Sequence, residues 1–600
     1  MKLSLSDVPK PDWPSAGPRP TGGRMRRRLL AAIPVPIWVV LLFVLFGPLL
    51  RDLNGPLPGG ADSVLYSWYF KEIQVSIWHG ENPFFTTAMN APTGLNVMWN
   101  TAIILPALLM TPITASLGAT TSVALLMIAA PLLAASLTYW VLHRMTGSLL
   151  GAAVGATVYG FGPFYAAQQG HVHLTLGSAF LPLILYYGYR MVTAEHLSWR
   201  RLGWPLGVVV AVVMLISEEV VAIAAVIAAL SLVALCLKYG DEIRQRRAKI
   251  LKSAGWAAGI AFVLCGPALA YQFLGPLVIH EGIHSSTVID LTWTLRPSRS
   301  QYFSAGTGPA DGSGFAGNGI ENTGYLGIFG FVATVGALVL LYRTNHRRLV
   351  FWLGSTAGIA CALSLGTSVR FNGWQTYVPM PWLFLSRVPV LETLVPARFS
   401  VLTLLLVATI LAFGIAALPR AGSTVGAAAA RRLRLGGYVV LALALVAWWP
   451  AGRNDRLDIA TPQFFTSSAV DTLGSGSVVL ALPQAETPNG AAAVMKWQID
   501  AEMRFSIIGG YSFFSRDGFP TYRGEIPAYG KLLQQIGESG TAPTTAETTA
   551  ARHSVLTSVG DYVVVTDQVA HVPAVVDALT EIGGCVPRRV SDVYVCKIAR

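Results

Sequence analysis

Several ionisable side chains of this sequence stand outside its basic clusters, in segments that border long apolar runs. They are Asp62, His171, His173, Glu218, Glu219, Glu321 and Arg398. A carboxylate can accept a proton as a general base or bind a divalent cation, and imidazole and guanidinium groups can hold a phosphate. Together these residue types suit group transfer from a phosphate-linked donor, provided that the fold brings them together.

Asp62 stands in the segment Gly59–Ser63, just before residues with helical spacing. There its carboxylate could take a proton from an acceptor hydroxyl, or bind a cation beside a leaving phosphate. The alternative is a helix cap, since an aspartate before a helix satisfies free backbone amides. Capping is the commoner role for an aspartate in this position.

His171 and His173 flank a single valine in the second predicted outer turn. An extended segment would place both imidazoles on one face, where they suit a phosphate or a metal, although a structural role is commoner for such a pair. Glu218 and Glu219 are adjacent carboxylates at another outer turn. They could supply a catalytic acid. Alternatively they have no function, because a turn at the membrane surface accommodates carboxylates.

The fourth predicted outer loop contains a glycine-rich run, residues 306–319, followed by Glu321 and Tyr325. The run lacks a nucleotide-binding pattern, and we expect a flexible loop that closes over a substrate. Arg398 begins a later apolar run. Its guanidinium could hold a phosphate through two hydrogen bonds, or it could snorkel to the membrane interface.

Residues 280–284 have the sequence HEGIH, which matches the zinc-protease pattern HExxH. That motif needs a regular helix, because a helix puts its two imidazoles on one face. Gly282 and the nearby Pro276 disfavour such a helix, and no motif supplies a third ligand. A zinc protease is therefore not the favoured interpretation.

The elements that must position these groups are membrane helices. Hydrophobic residues make up 53% of the chain and charged residues only 12%, against about 25% charged in soluble proteins. Apolar runs of spanning length recur before residue 450. We predict eleven spans, at about 29–50, 120–142, 148–166, 176–193, 204–217, 220–237, 254–275, 324–342, 349–367, 398–418 and 436–450.

The net charge of +12 comes mainly from basic clusters in short loops between these runs. That pattern indicates loops on the cytoplasmic side, and without an aromatic-basic platform it does not favour nucleic-acid binding. We expect residues 1–28 to be a disordered cytoplasmic tail. The transmembrane region is predicted at 29–450, with the acids of interest on its outer face.

Residues 51–119 form a long predicted outer loop. Within it, Val64–Trp78 is expected to be an amphipathic interfacial helix, and the proline-containing run Thr101–Leu117 a juxtamembrane or re-entrant helix. Residues 451–600 are predicted to be a small extracytoplasmic α/β domain. Its strands are expected at Ser477–Leu482, Tyr562–Thr566 and Val593–Ile598, its helix at Val572–Ile582, a mobile loop at Gly537–Ala550, and a disulfide between Cys585 and Cys596 if that side is oxidising.

This layout resembles the GT-C superfamily of membrane glycosyltransferases and the related YfhO-like bacterial membrane proteins. The segments that carry the resemblance are Gly60–Tyr69, Gly80–Phe84, Ala91–Asn96 and the Arg398 segment. The resemblance implies transfer of a sugar from a polyprenyl-phosphate donor to a cell-envelope glycan, lipid or protein at a bacterial plasma membrane. In the superfamily an aspartate of the first outer loop is similar in place to Asp62. With the other outer-face residues, this predicts catalytic roles for Asp62, Glu218 and Glu219, and substrate-binding roles for His171, His173, Glu321, Tyr325 and Arg398.

The sequence departs from that superfamily in the second outer loop, where His171 and His173 replace an acidic residue. The signature of oligosaccharyltransferases is also missing, so protein N-glycosylation is not expected. No protein metal ligand is predicted, and dependence on a divalent cation is left open. Two alternatives also remain: a lipid or polysaccharide transporter or flippase, and a non-catalytic protein that binds an envelope polymer.

Overall fold

The structure is a computed structural model that describes residues 34–100, 103–195, 197–282, 287–304, 319–419, 427–452, 456–484 and 488–598. The α-helices are α1 Val35–Arg51, α2 Ala61–His79, α3 Ile104–Leu117, α4 Ala119–Thr146, α5 Leu149–Phe161, α6 Pro163–Ala167, α7 Val172–Ser178, α8 Leu181–Thr193, α9 Trp199–Met214, α10 Glu218–Leu274, α11 Gly327–Arg343, α12 Arg347–Ser364, α13 Trp382–Leu385, α14 Ser400–Ala417, α15 Ala427–Ala447, α16 Gln463–Thr466, α17 Pro488–Asp500, α18 Ala528–Ser539, α19 Thr545–Thr557 and α20 Val572–Ile582. The strands are β1 Phe85–Thr86, β2 Leu95–Asn96, β3 Ser368–Phe371, β4 Trp374–Pro379, β5 Val478–Leu482, β6 Ser506–Ile507, β7 Tyr511–Arg516, β8 Phe519–Arg523, β9 Tyr562–Thr566, β10 Arg588–Val590 and β11 Val593–Lys597. The predicted tail, residues 1–28, lies outside the described residues.

Long apolar helices dominate the first three-quarters of the chain, as its composition predicts. Within the described residues, four stretches are long and apolar enough to cross a membrane: Ala119–Thr146, Leu149–Ala167, Glu218–Leu274 and Pro396–Ala417. Four shorter apolar helices accompany them: Val35–Arg51, Ile104–Leu117, Gly327–Arg343 and Arg434–Ala447. A helical membrane protein is therefore confirmed, and the total of eleven spans stays a prediction.

The predicted break before the two adjacent glutamates is present. Helix α9 ends at Met214, and α10 begins at Glu218 after an extended Ser217. The basic segment 238–252 is predicted as a loop and is instead helical, but Tyr239 has non-helical dihedral angles, so Glu218–Leu274 consists of two helices joined at a kink. These two helices fold back on each other, because Gln272, near the end of the second, donates to Glu218, at the start of the first, at 3.1 Å. The predicted separate runs 220–237 and 254–275 fall one in each helix.

The first outer loop contains the predicted helix, but not the predicted surroundings. Tyr66, Trp68 and Tyr69 of α2 are buried rather than interfacial. The indole of Trp68 donates to Gln498 Oε1 at 2.6 Å, and the Tyr69 hydroxyl lies 2.6 Å from that of Ser512. The C-terminal part of the chain thus packs over these three residues of α2, whereas Trp78, also predicted at the interface, is exposed.

The C-terminal part contains a five-stranded mixed sheet in the order β10-β11-β9-β5-β6. Strand β5 pairs in parallel with β6 and β9, and β11 pairs antiparallel with β9 and β10. The predicted strands and the helix at Val572–Ile582 agree with β5, β9, β11 and α20. Cys585 and Cys596 form a disulfide with their Cα atoms 5.9 Å apart.

One prediction for this region is wrong. Gly537–Ala550 is mostly helical, with α18 ending at Ser539 and α19 beginning at Thr545. Thr544 and Glu547 form a reciprocal capping box, in which each side chain bonds the backbone of the other. Such a box satisfies the free amides at a helix start and stabilises a helix that composition alone disfavours.

Candidate active site

Two glycines bring the first and second outer loops into backbone contact. A Cβ atom on Gly59 would lie 2.5 Å from Gly170 Cα, and one on Gly170 would lie 2.2 Å from Gly59 Cα. Gly59 also has a φ angle of +107°, which disfavours any other residue. Because Asp62 follows Gly59 and His171 follows Gly170, this close approach places their side chains together.

Asp62 accepts hydrogen bonds at both carboxylate oxygens. His171 Nε2 lies 3.0 Å from Oδ2, and the Tyr511 hydroxyl donates to Oδ1 at 2.7 Å. Helix α2 takes Gly60 as its cap residue, so capping is not the role of this aspartate. The side chain keeps 31% of its surface exposed, which leaves the carboxylate accessible to a substrate.

Asp62 is held as an anion. Burial would raise the pKa of its carboxyl group, but the hydrogen bond and positive charge of His171, with smaller contributions from Tyr511 and Arg398, bring the pKa below its usual value. Burial and the Asp62 charge raise the pKa of Tyr511, so its phenol keeps the proton that it donates. A charged acceptor thus faces two donors.

Gln168 links His171 to Glu321. Its amide nitrogen lies 3.0 Å from Glu321 Oε2, and its amide oxygen accepts from His171 Nδ1. A carboxylate only accepts, so the amide orientation follows from Glu321, and both nitrogens of His171 then face acceptors.

Arg398 lies between two carboxylates. Its Nη2 and Nε donate to Glu321 Oε1 at 2.6 and 3.1 Å, and its Nη1 bonds Glu219. Burial would raise the pKa of Glu321, and the adjacent guanidinium outweighs that effect, so the pKa is lowered. The alternative, snorkelling to the membrane interface, does not hold, because the Arg398 side chain is only 16% exposed and is paired with Glu219 and Glu321.

These bonds form one continuous chain of side chains, which we call the Asp62–Arg398 network. Its members are Tyr511, Asp62, His171, Gln168, Glu321, Arg398 and Glu219. It joins the first outer loop, the second outer turn, the start of α10, the start of α14 and the C-terminal part. Five of the eight residues singled out from the sequence, Asp62, His171, Glu219, Glu321 and Arg398, meet in it.

Three other predicted site residues lie outside the network. Glu218 accepts from Gln272 at 3.1 Å, toward the far end of α10. Tyr325 is buried in an apolar cluster. The His173 side chain is buried against the Tyr66 hydroxyl, 2.6 Å from its Nδ1, and burial lowers its pKa well below the usual range.

The geometry expected around two histidine motifs also differs. His171 precedes helix α7 and His173 lies within it, so the segment is not extended, although the two rings lie 5.9 Å apart. His280 donates its backbone amide to Gly518, and residues 278–282 form no helix, as expected for a segment that is not a zinc-protease motif. His284 lies outside the described residues.

Sequence reasoning missed two members of the network. Gln168 stands in the same outer turn as His171, and its proximity was the available signal. Tyr511 is 449 residues from Asp62, and nothing in its local sequence indicates the pairing. Only the packing of the C-terminal part onto α2 brings that phenol to the carboxylate.

A polar cleft lies between the first outer loop and the C-terminal part, and it meets the network at Tyr511. Its volume is about 1110 Å³, and Tyr511 and Tyr522 line it with Asn90, Thr93 and Arg523. Asn90 joins the two walls, donating its backbone amide to Gly509 and accepting from the Glu525 amide at 2.7 Å. Phenol, amide and guanidinium groups around a space of this size suit a polar ligand larger than one sugar unit.

The described residues contain no group of three or more His, Cys, Asp and Glu side chains that could hold a metal ion. The carboxylates of the Asp62–Arg398 network accept hydrogen bonds from neighbouring side chains. The network combines carboxylates with the guanidinium of Arg398, and its Tyr511 also lines the polar cleft.

The family model described as "Domain of unknown function (DUF6311)" matches residues 69–431, which include most of the network. No curated protein matches the chain. Among solved structures, the chain is similar to ArnT from Cupriavidus metallidurans bound to undecaprenyl phosphate, at 13% identity and a TM-score of 0.42, with 96% of this chain and 99% of that chain covered.

Two further solved structures are similar to this chain. One is the archaeal oligosaccharyltransferase AglB from Archaeoglobus fulgidus in complex with an inhibitory peptide and a dolichol-phosphate, at 11% identity, TM-score 0.43, and 91% and 70% coverage of this chain and that chain. The other is the arabinofuranosyltransferase AftD from Mycobacteria, at 14% identity, TM-score 0.48, and 96% and 41% coverage.

Proposed function

The chain belongs to the DUF6311 family, and we propose that it transfers a sugar from a polyprenyl-phosphate donor to a cell-envelope acceptor on the outer face of a bacterial plasma membrane. The observation that carries the proposal is the position of Asp62. Its carboxylate is held by His171 and by Tyr511, and Tyr511 also lines the polar cleft. A lipid-linked donor needs a site at the bilayer surface, and the acceptor needs an aqueous approach.

The proposal places the network and the C-terminal part outside the cell and the N-terminus inside, with eleven spans between them. The disulfide between Cys585 and Cys596 supports an oxidising compartment for the C-terminal part. Basic segments such as 238–252 and Arg343–Arg348 support a cytoplasmic position for the opposite ends of the helices.

In the proposed reaction, an acceptor hydroxyl attacks the anomeric carbon of the donor sugar. The bond between that carbon and the phosphate oxygen breaks, polyprenyl phosphate leaves with the electron pair, and the hydroxyl proton passes to Asp62. Its lowered pKa makes Asp62 a weak base. A weak base suffices when the transition state resembles an oxocarbenium ion, because the attacking hydroxyl becomes acidic as its bond to carbon forms.

The remaining network members hold the reacting groups in the proposal. Three N–H groups of Arg398 bond to Glu321 and Glu219, which leaves two of its five for a donor phosphate among the contacts that the structure describes. Glu321 and Gln168 orient His171, whose positive charge favours both ionised Asp62 and a nearby phosphate. Glu218 has no assigned step.

The proposed donor is tested with membranes that do or do not contain the protein. Each is incubated with labelled polyprenyl-phosphate sugars, or with the corresponding nucleotide sugars under conditions that block polyprenyl-phosphate charging. We expect label to enter an envelope acceptor only with the lipid-linked donor and only when the protein is present. Equal labelling from nucleotide sugars under the block would contradict the proposal.

Replacing Tyr511 with phenylalanine is expected to move the acidic limb of the pH–rate profile to higher pH. The substitution removes a hydrogen bond that stabilises the charged form of Asp62, so the pKa of that carboxyl rises and the base protonates at higher pH. Tyr522→Phe is the matched control, because Tyr522 lines the same cleft without donating to Asp62 in the described contacts. Superimposable profiles for wild type and Tyr511→Phe would remove Tyr511 from the mechanism.

A further inference from the structure

Strands β3 and β4 form a hairpin whose aromatic side chains are highly exposed. Relative exposure is 79% at Trp374 and 103% at Tyr377, and Phe371 is also exposed. In the segment that follows, Phe384 and Val390 are exposed as well. We call these five residues the aromatic surface. Exposed apolar groups at this density mark a binding surface rather than ordinary solvent contact.

The hairpin is held rigidly from behind. Its two-residue turn, Asn372 and Gly373, has positive φ angles at both positions, as a tight hairpin turn requires. Both turn amides donate to the fully buried carboxylate of Asp290, at 3.1 and 2.7 Å. Asp290 therefore fixes the tip, and the aromatic side chains project outward from an ordered backbone.

The aromatic surface adjoins both the membrane helices and the Asp62–Arg398 network. Strand β3 begins four residues after α12 ends, and the apolar stretch Pro396–Ala417 follows. Backbone bonds from Ile289 to Ser364 and from Ala397 to Thr287 tie the base of the hairpin to the residue before Arg398. The surface thus lies at the end of α12 and of the apolar stretch Pro396–Ala417 that also carries Arg398.

The residue types also fit one occupant. Trp and Tyr concentrate where a bilayer meets water, because their rings combine an apolar body with a polar edge. Residues 365–391 contain Arg370 and Arg387 and no acidic residue. Basic residues at a membrane surface are attracted to anionic headgroups.

We propose that the aromatic surface docks into the interfacial layer of the leaflet that faces the network, with anionic phospholipid as its occupant. The docked hairpin would hold the entrance to the network at the level of lipid headgroups. This inference depends on the helices spanning a membrane and is independent of the proposed sugar transfer.

The test uses the full-length protein in nanodiscs that contain phosphatidylglycerol and phosphatidylcholine. A nitroxide is attached at Tyr377→Cys after the free cysteines are replaced, as Cys236→Ser, Cys265→Ala and Cys361→Ala, with the disulfide kept. Leu556→Cys is the matched control, an exposed apolar residue on α19 of the C-terminal part. Electron paramagnetic resonance then measures collision with oxygen, which concentrates in lipid, and with a water-soluble nickel chelate.

We expect the oxygen-to-nickel collision ratio to be several-fold higher at position 377 than at 556, and to fall toward the control value in detergent-free amphipol. Trp374→Cys is a second reporter if the first variant fails to fold, as judged by size-exclusion chromatography. A nickel-accessible label at both hairpin positions would overturn the proposal. Dipolar broadening between labels on two copies would also overturn it, because the surface would then bind a second copy of the chain.

Discussion

Replacing Asp62 with asparagine is expected to lower the rate of sugar transfer by about 10²- to 10⁴-fold, the usual contribution of a general base. The amide cannot accept the hydroxyl proton. It also turns an N–H group toward either His171 or Tyr511, both of which donate to the native carboxylate. The rate is measured with labelled polyprenyl-phosphate sugar in membranes that contain equal amounts of each variant.

Asp52→Asn is the matched control for this substitution. Asp52 lies in the same outer loop, is exposed, and accepts only a local hydrogen bond from the Asn54 amide among its described contacts. We expect its transfer rate to equal that of the wild type. Thermal melting of all three proteins separates a catalytic loss from misfolding. Undiminished transfer by folded Asp62→Asn would exclude Asp62 as the base.

Replacing Arg398 with glutamine is expected to destabilise the protein by about 3–5 kcal/mol, the range for breaking a buried ion pair from one side. Glu321 is only 5% exposed and Glu219 is 17% exposed, so neither regains full hydration when the guanidinium is lost. The melting temperature in detergent measures the loss. Arg387→Gln is the matched control, because Arg387 is exposed on the same side of the helices.

The destabilisation is expected to depend on pH with a definite sign. In the wild type the pKa of Glu321 is lowered, so its stabilising contribution is complete above its unfolded-state pKa and is lost as pH falls through its folded-state pKa. Without Arg398, burial raises that pKa, and protonation of Glu321 at acidic pH relieves the penalty. The stability difference between wild type and Arg398→Gln should therefore shrink as the solution is acidified. A difference that stays constant from neutral to acidic pH would contradict this account.

A charge-free version of the same cluster distinguishes lost pairing from lost volume. The triple variant Arg398→Met, Glu321→Gln, Glu219→Gln removes the cation and both anions together. We expect it to be more stable than Arg398→Gln, because no buried charge is left unpaired. A triple variant less stable than Arg398→Gln would show that packing around residue 398, rather than charge, dominates.

The membrane class and the meeting of five candidate residues could be predicted from the sequence for one physical reason. Basic loops indicate which helix ends face the cytoplasm, and the opposite ends then share a surface. Asp62, His171, Glu219, Glu321 and Arg398 each follow or precede an apolar run at such an end. Topology alone therefore brought them to the same face of the membrane region.

Side-chain direction could not be predicted in the same way. Glu218 and Glu219 are adjacent, yet the helical turn between them sends one toward Gln272 and the other toward Arg398. His173 lies two residues from His171, and a helix rather than a strand turns it toward Tyr66. A shift of one position along a helix changes the direction of a side chain enough to take it into or out of the network.

Contacts between parts of the chain that are distant in sequence could not be predicted from local sequence patterns either. The C-terminal part covers the aromatic side of α2 and delivers Tyr511 to Asp62 across 449 residues. The spacing of Tyr66, Trp68 and Tyr69 is equally compatible with a membrane interface and with a protein interior. The packing of the C-terminal part on α2 decides between these two environments.

A cryo-electron microscopy structure of the protein in nanodiscs with bound polyprenyl phosphate tests the central claim most directly. The account predicts that the phosphate lies within hydrogen-bond distance of Arg398 or His171, with the lipid chain leading into the bilayer and the Asp62 carboxylate open to the cleft. A phosphate bound at the opposite ends of the helices, or on a surface remote from the Asp62–Arg398 network, would contradict it.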